Sequence, residues 1–297
     1  MAEEYPKVKV LAALLAGLTA FGFAPILVRF ASDTSPLVLV VYRTVFAAAM
    51  LFPFWVWLRS REQRSGKGKE RLWIALSGVC LGLHFTFWIS SLYYTSVASA
   101  SVLVTIHPII MILVERLWFK RGFAKTTWIG VLLAFSGSVL LGISDSQIEQ
   151  DFADPLFGNF LALTAAIIFV VYLLIGQKIR RKREWIDYVF PVYFYAAAAC
   201  VLMAVVMGKN LLEISKIGVW AGAGLAFGPQ ILGHGSMNYA VKYVSPTLLS
   251  TLILVEPLLA SVLAFFLFAE LPPIASIIAM AIILIGVGLT WRRKTQE

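Results

Sequence analysis

Val255-Glu256-Pro257-Leu258-Leu259 restates, 149 positions later, the pattern of Ile106-His107-Pro108-Ile109-Ile110. Each copy puts an ionisable residue directly before a proline, deep inside an apolar run. Registering the two prolines also matches Tyr94 with Tyr243, Ser96 with Ser245, Ser101 with Ser250, Phe119 with Phe268 and Gly137 with Gly286. A duplicated unit whose central segments carry polar groups that lipid rejects is the layout of a transporter.

The runs around these motifs set the class. Apolar residues make up 60% of the 297 and charged ones 14%, more apolar than a soluble domain needs at roughly 45–50%. The excess is concentrated in ten stretches: 8–29, 37–58, 72–94, 98–119, 126–143, 157–177, 188–208, 217–239, 246–267 and 273–291. At 1.5 Å rise per residue, about 20 apolar residues cross the hydrocarbon core. The alternating ten-residue strands of a membrane barrel are absent from the pattern. The first stretch is longer than a signal-peptide core, and the chain beyond it is equally apolar. The expected fold is therefore an all-α integral membrane protein of ten transmembrane helices.

Five spans precede the acidic connector Ser144–Asp154 and five follow it. An odd number per unit makes the second unit enter from the opposite side, so the expected architecture is two inverted five-helix repeats, residues 1–146 and 147–297. Gly78-x-x-x-Gly82 followed by His84 in span three, and Gly224-x-x-x-Gly228 followed by His234 in span eight, add a second correspondence. Glycines at that spacing let helices approach closely.

The net charge of +9 could suggest nucleic acid, but its distribution assigns it to the membrane. With alternating connectors, 20 basic residues fall on the face carrying both termini and 3 on the other, Arg29, Lys209 and Lys216. The positive-inside rule then places both termini in the cytoplasm of a cell membrane, with the basic residues near lipid headgroups. Cys80 and Cys200 fall inside spans and read as small apolar residues, neither a disulfide nor a metal site.

All three histidines, Arg43 and Glu256 lie within predicted spans. A charge near a helix centre costs roughly 2.5–3.5 kcal/mol on insertion scales, so each needs a partner or water. One reading makes Arg43 and Glu256 the ends of a substrate cradle, the arginine fork taking a carboxylate and the glutamate an ammonium or a proton. The other pairs them with each other or with carbonyls to hold the bundle. Gln230, His234 and Asn238, four apart, share one face of span eight; His84, Trp88, Ser91 and Thr95 share one face of span three. Such polar stripes suit helices lining a cavity, although hydrogen bonds between helices would also use them. Tyr42, Trp88 and Tyr94 could offer flat surface to an aromatic or cationic cargo, or serve as interface anchors. Pro108 and Pro257 each crowd the carbonyl four residues back, at Val104 and Ile253, and suit hinges. His107, beside the first, is a candidate proton-coupled gating group.

The pattern resembles the ten-helix EamA family of the drug/metabolite transporter superfamily over essentially the whole chain. The residues that carry it in the second half are Tyr243-Val244-Ser245-Pro246-Thr247, Glu256-Pro257, Phe268-Ala269-Glu270 and Ile285-Gly286-Val287. The first half matches through Tyr94-Thr95-Ser96-Val97-Ala98, Pro108, Gly130 and Gly137, and Arg43 stands where members commonly carry arginine. Ala279 and Arg121 depart from that pattern, in place of a glycine and an acid. The resemblance implies a secondary transporter, often an exporter of amino acids or related metabolites, with no cofactor.

The expectation is thus a carrier, not an enzyme, that moves a small polar or zwitterionic metabolite outward by alternating access. Protons are the candidate coupling ion, and a monomer is favoured. A lipophilic-cation exporter is the alternative. A rhomboid-like enzyme would need a serine paired with a histidine, and a zinc carrier would need clustered ligands; neither pattern stands out.

Overall fold

The computed structural model describes residues 6–58, 68–95, 97–145, 154–268 and 273–291. All regular structure among them is helical. The helices are α1 (Lys7–Gly22), α2 (Ala24–Phe30), α3 (Pro36–Leu58), α4 (Gly68–Tyr94), α5 (Val97–Val104), α6 (His107–Leu117) and α7 (Lys125–Asp145). They continue with α8 (Pro155–Arg180), α9 (Trp185–Val206), α10 (Lys216–Leu225), a π-helix (Ala226–His234), α11 (Gly235–Ala240), α12 (Pro246–Ile253), α13 (Glu256–Phe268) and α14 (Ile274–Trp291). Five of these segments are individually long and apolar enough to cross a bilayer: Lys7–Phe30, Pro36–Leu58, Gly68–Tyr94, Pro155–Arg180 and Trp185–Val206. The chain is a multi-pass membrane protein.

Helix starts follow from local chemistry. Asp154 accepts from the Phe157 amide ahead of Pro155, Ser215 from Gly218, and Ser245 from Leu248 ahead of Pro246. A side-chain oxygen at the cap satisfies a first-turn N–H, and a proline in that turn lacks only a donor that would be unpaired anyway.

Four of the expected spans are not single α-helices, and each departure has a physical cause. The stretch 98–119 is α5 and α6, separated at Thr105 and Ile106; 246–267 is α12 and α13, separated at Leu254 and Val255. The α-helices end at Val104 and Ile253, the residues whose carbonyls the prolines crowd. The chain does not bend through Pro108; it stops and restarts, with Pro108 in the new first turn. The side chain of Pro257 lies outside the described ones. The first span turns at Phe23, between α1 and α2, just before Pro25. Span eight changes from α to π at Ala226, with Pro229 inside the wide turn.

Packing relates the halves. Helix α4 lies against α8 and α9; the segment 149 residues on, α10 with the π-helix and α11, lies against α1 and α3. Helices α3 and α9 pack on each other, as do α7 and α14. In that last pair a Cβ built on Gly130 would sit 2.7 Å from the Gly286 carbonyl, and one on Gly137 would sit 2.9 Å from the Ala279 carbonyl. Only glycine allows so close a backbone approach. Gly137 and Gly286 are register partners, as are Gly130 and Ala279, so the two contacts are the same contact with the halves exchanged.

Candidate functional site

Most of the polar side chains singled out in the sequence converge in the middle of the bundle. Arg43, on α3, is 1% exposed. Its Nε donates to Gln230 Oε1 at 3.3 Å, and its guanidinium carbon stands 3.6 Å from the centroid of the Phe85 ring on α4. A hydrogen bond and a ring face partly replace the water that the cation has lost. His234, one turn beyond Gln230, meets Phe21 and Phe85 edge-on, both at 4.9 Å. His84 lies 6.0 Å from His234, ring centre to ring centre, and its Nδ1 donates to the Ala165 carbonyl at 3.0 Å. His107 reaches the same cluster through Phe169, 4.9 Å away, which also touches His84 at 5.1 Å. The three histidines come from three helices and converge on one phenylalanine of α8.

The stripe on span eight is held by its backbone. Gln230's carbonyl accepts from the Gly235 amide and from the Tyr193 hydroxyl of α9. Trp185 Nε1 donates to the Gly235 carbonyl at 2.8 Å, and Arg180 Nε to the Asn238 carbonyl at 2.9 Å. A π-turn leaves carbonyls incompletely satisfied, and such turns recur at functional sites. Here donors from two neighbouring helices complete them and fix the direction in which Gln230 and His234 point. Asn238 spends its amide on Tyr172 and the His234 carbonyl.

Five buried side-chain atoms have no hydrogen-bond partner among the described residues: Arg43 Nη1, Gln230 Nε2, His107 Nδ1, His234 Nδ1 and Asn238 Oδ1. All belong to this one cluster. An unsatisfied buried polar group costs roughly 1–3 kcal/mol, and native proteins leave few of them. The first two are donors on residues already bonded to each other. Each residue leaves a buried donor for a group that only accepts.

Glu256 opens α13, partly exposed, and interacts electrostatically with Arg43. The two make no ion pair within 4.0 Å among the described residues, so the bundle does not spend one on the other. Other expected residues lie further out. Tyr42's hydroxyl donates to the Leu211 carbonyl at 3.2 Å, and Tyr94 packs edge-on against Phe157 at 5.1 Å. Trp88 is buried on α4, one turn beyond His84. Ser91 turns back onto the Trp88 carbonyl and Thr95 bonds Asn159. Residues that sequence reasoning missed are Phe85, Phe169 and Tyr193, apolar or aromatic positions with no periodic signal. Pro229, a proline inside a span, was the visible sign of the π-turn.

A helical bundle with broken central helices and unpartnered polar groups at its centre is a layout that membrane transporters share. Comparison with known proteins carries this to the family. The model of the EamA-like transporter family matches twice, over residues 8–143 and 156–292. The chain belongs to the EamA-like transporter family. It is 26% identical to an uncharacterized transporter of Archaeoglobus fulgidus, over 89% of this chain and 90% of that one. It is 23% identical to an uncharacterized transporter of Clostridium kluyveri, over 86% and 83%. Human solute carrier family 35 member G1 is 23% identical over 69% of this chain and 55% of its own length. A solved crystal structure shares the fold, with a TM-score of 0.76 over 94% of this chain and 98% of its own, at 18% identity.

Proposed function

We propose that the protein is a secondary transporter that exports small polar or zwitterionic metabolites, amino acids foremost, across the cytoplasmic membrane. It is built as two inverted five-helix repeats, 1–146 and 147–297, with both termini in the cytoplasm. Two matches to one family model, helix breaks at register-equivalent residues and packing that exchanges the halves support the repeat. An odd span count per repeat makes it inverted. The 20-to-3 division of basic residues supports the orientation.

The observation that carries the cargo reading is a pair of buried, unpartnered donors, Arg43 Nη1 and Gln230 Nε2, on residues bonded to each other. A carboxylate supplies the acceptors that these donors lack. Glu256, near Arg43 but not paired with it, takes the ammonium group or a coupling proton. His84, Trp88, His234 and Asn238 extend the binding surface along α4 and the π-helix. His107 and the two prolines sit at the breaks where α5 and α6, and α12 and α13, change direction during alternating access.

Counterflow in proteoliposomes tests the reading. Vesicles loaded with a pool of unlabelled amino acids should take up labelled members of one chemical group well above empty vesicles, and Arg43→Ala should remove that uptake. Absence of exchange for every amino acid, in folded protein, would sink the zwitterion reading. Exchange of lipophilic cations in its place would assign Glu256 to a cation site.

A further inference from the structure

We infer that Glu115, tied to Arg121 and Thr247, is the latch that holds the terminus-bearing side of the transport path shut. The inference rests on the transporter reading above and on a place where the exchange of halves fails. Under the 149-residue register α6 corresponds to α13, and α12 to α5. Helices α6 and α12 pack on each other. These two half-helices, one from each half of the chain, meet beside the site. Met111, Ile112 and Glu115 on α6 and Leu249 to Ile253 on α12 are buried.

Glu115 sits at the meeting point, fully buried. Arg121, in the connector after α6, pairs with one carboxylate oxygen, and the Thr247 hydroxyl donates to the other. Arg121 reaches on to Gln177 of α8 at 3.4 Å, and its amide donates to the Glu115 carbonyl at 3.0 Å. The tie thus joins the first half, through α6, to the second half, through α8 and α12. Its carboxylate and hydroxyl are not repeated at the register-equivalent positions. The register partners of Glu115, Gln177 and Thr247 are Ala264, Val28 and Ala98. A buried carboxylate that loses one of its two partners is costly, so parting α6 from α12 must break the bond to Thr247 before water can reach Glu115. With symmetric halves the two sides would open equally well. This tie biases the resting molecule toward closure at the termini.

The test uses the full chain in inverted membrane vesicles, with Cys80→Ala and Cys200→Ala removing the native thiols. A reporter, Ser250→Cys, sits one turn deeper than Thr247 on α12 and is buried. A membrane-impermeant maleimide is added from the terminus side. Thr247→Val and Glu115→Gln should each raise the labelling rate about tenfold, the change expected when roughly 1.4 kcal/mol of bias is removed. Thr247→Ser, which keeps the hydroxyl, should label as slowly as the parent. Unchanged labelling in folded Thr247→Val would overturn the latch, and so would fast labelling in Thr247→Ser. The readout needs no cargo. Failed counterflow with accelerated labelling would remove the cargo reading and leave the latch standing.

Discussion

Arg43 and Gln230 hold each other in place while each keeps a buried donor free, and that division of labour makes them testable separately. Arg43→Lys keeps the positive charge but loses the planar fork and the Nε bond to Gln230. A hydrogen bond to a charged group is worth roughly 1.5–3 kcal/mol, so KM for a carboxylate-bearing cargo should rise about 10- to 100-fold, while a cargo lacking a carboxylate is affected little. Equal losses for both would make Arg43 a structural residue. Glu256→Gln should leave the protein folded and abolish exchange or flatten its pH dependence; exchange at parental rates across the pH range would remove Glu256 from the mechanism. Both residues were visible in the sequence because a charge in the middle of an apolar span demands an explanation. Phe85, which lies under the Arg43 guanidinium, was not visible, since a phenylalanine in a membrane helix carries no such demand.

Element by element, the backbone breaks do as much as the side chains. The two central spans end at register-equivalent residues, and the prolines that follow could be read directly. The π-turn at Ala226–His234 was less legible. Its counterpart, residues 77–85, runs through continuous α-helix in α4, so the repeat itself pointed to α. What supports the wide turn is tertiary: the Tyr193 hydroxyl donates to the Gln230 carbonyl inside it, and Trp185 and Arg180 donate to the Gly235 and Asn238 carbonyls just beyond it. Close packing of α7 on α14 is the other element-scale feature with a direct test. A Cβ built on Gly286 would lie 2.6 Å from the Gly130 carbonyl, so neither backbone can yield cheaply. Gly286→Val should destabilise the folded protein by about 1–3 kcal/mol through overpacking, read as a lowered thermal midpoint in detergent. Gly288→Val, in open space on the same helix, should leave it unchanged.

For the whole molecule, orientation is the simplest property to test. Tags at the two termini should both be cleaved by protease in inverted vesicles and both be protected in right-side-out ones; opposite behaviour of the two tags would contradict an even number of spans. Composition, span length and the placement of basic residues are properties of the chain read in order, and they determine the class because the bilayer imposes them locally. Convergence of three histidines on Phe169, the unpartnered donors of Arg43 and Gln230 and the tie at Glu115 depend on residues from different helices and from both halves. Glu115 illustrates the difference. In sequence it is an acid near the end of a span, unremarked beside Glu256. Only packing shows it fully buried between Arg121 and Thr247, 132 residues apart from the latter. Local patterning can say that a polar group must find a partner in the membrane, but the partner is chosen by how the helices cross.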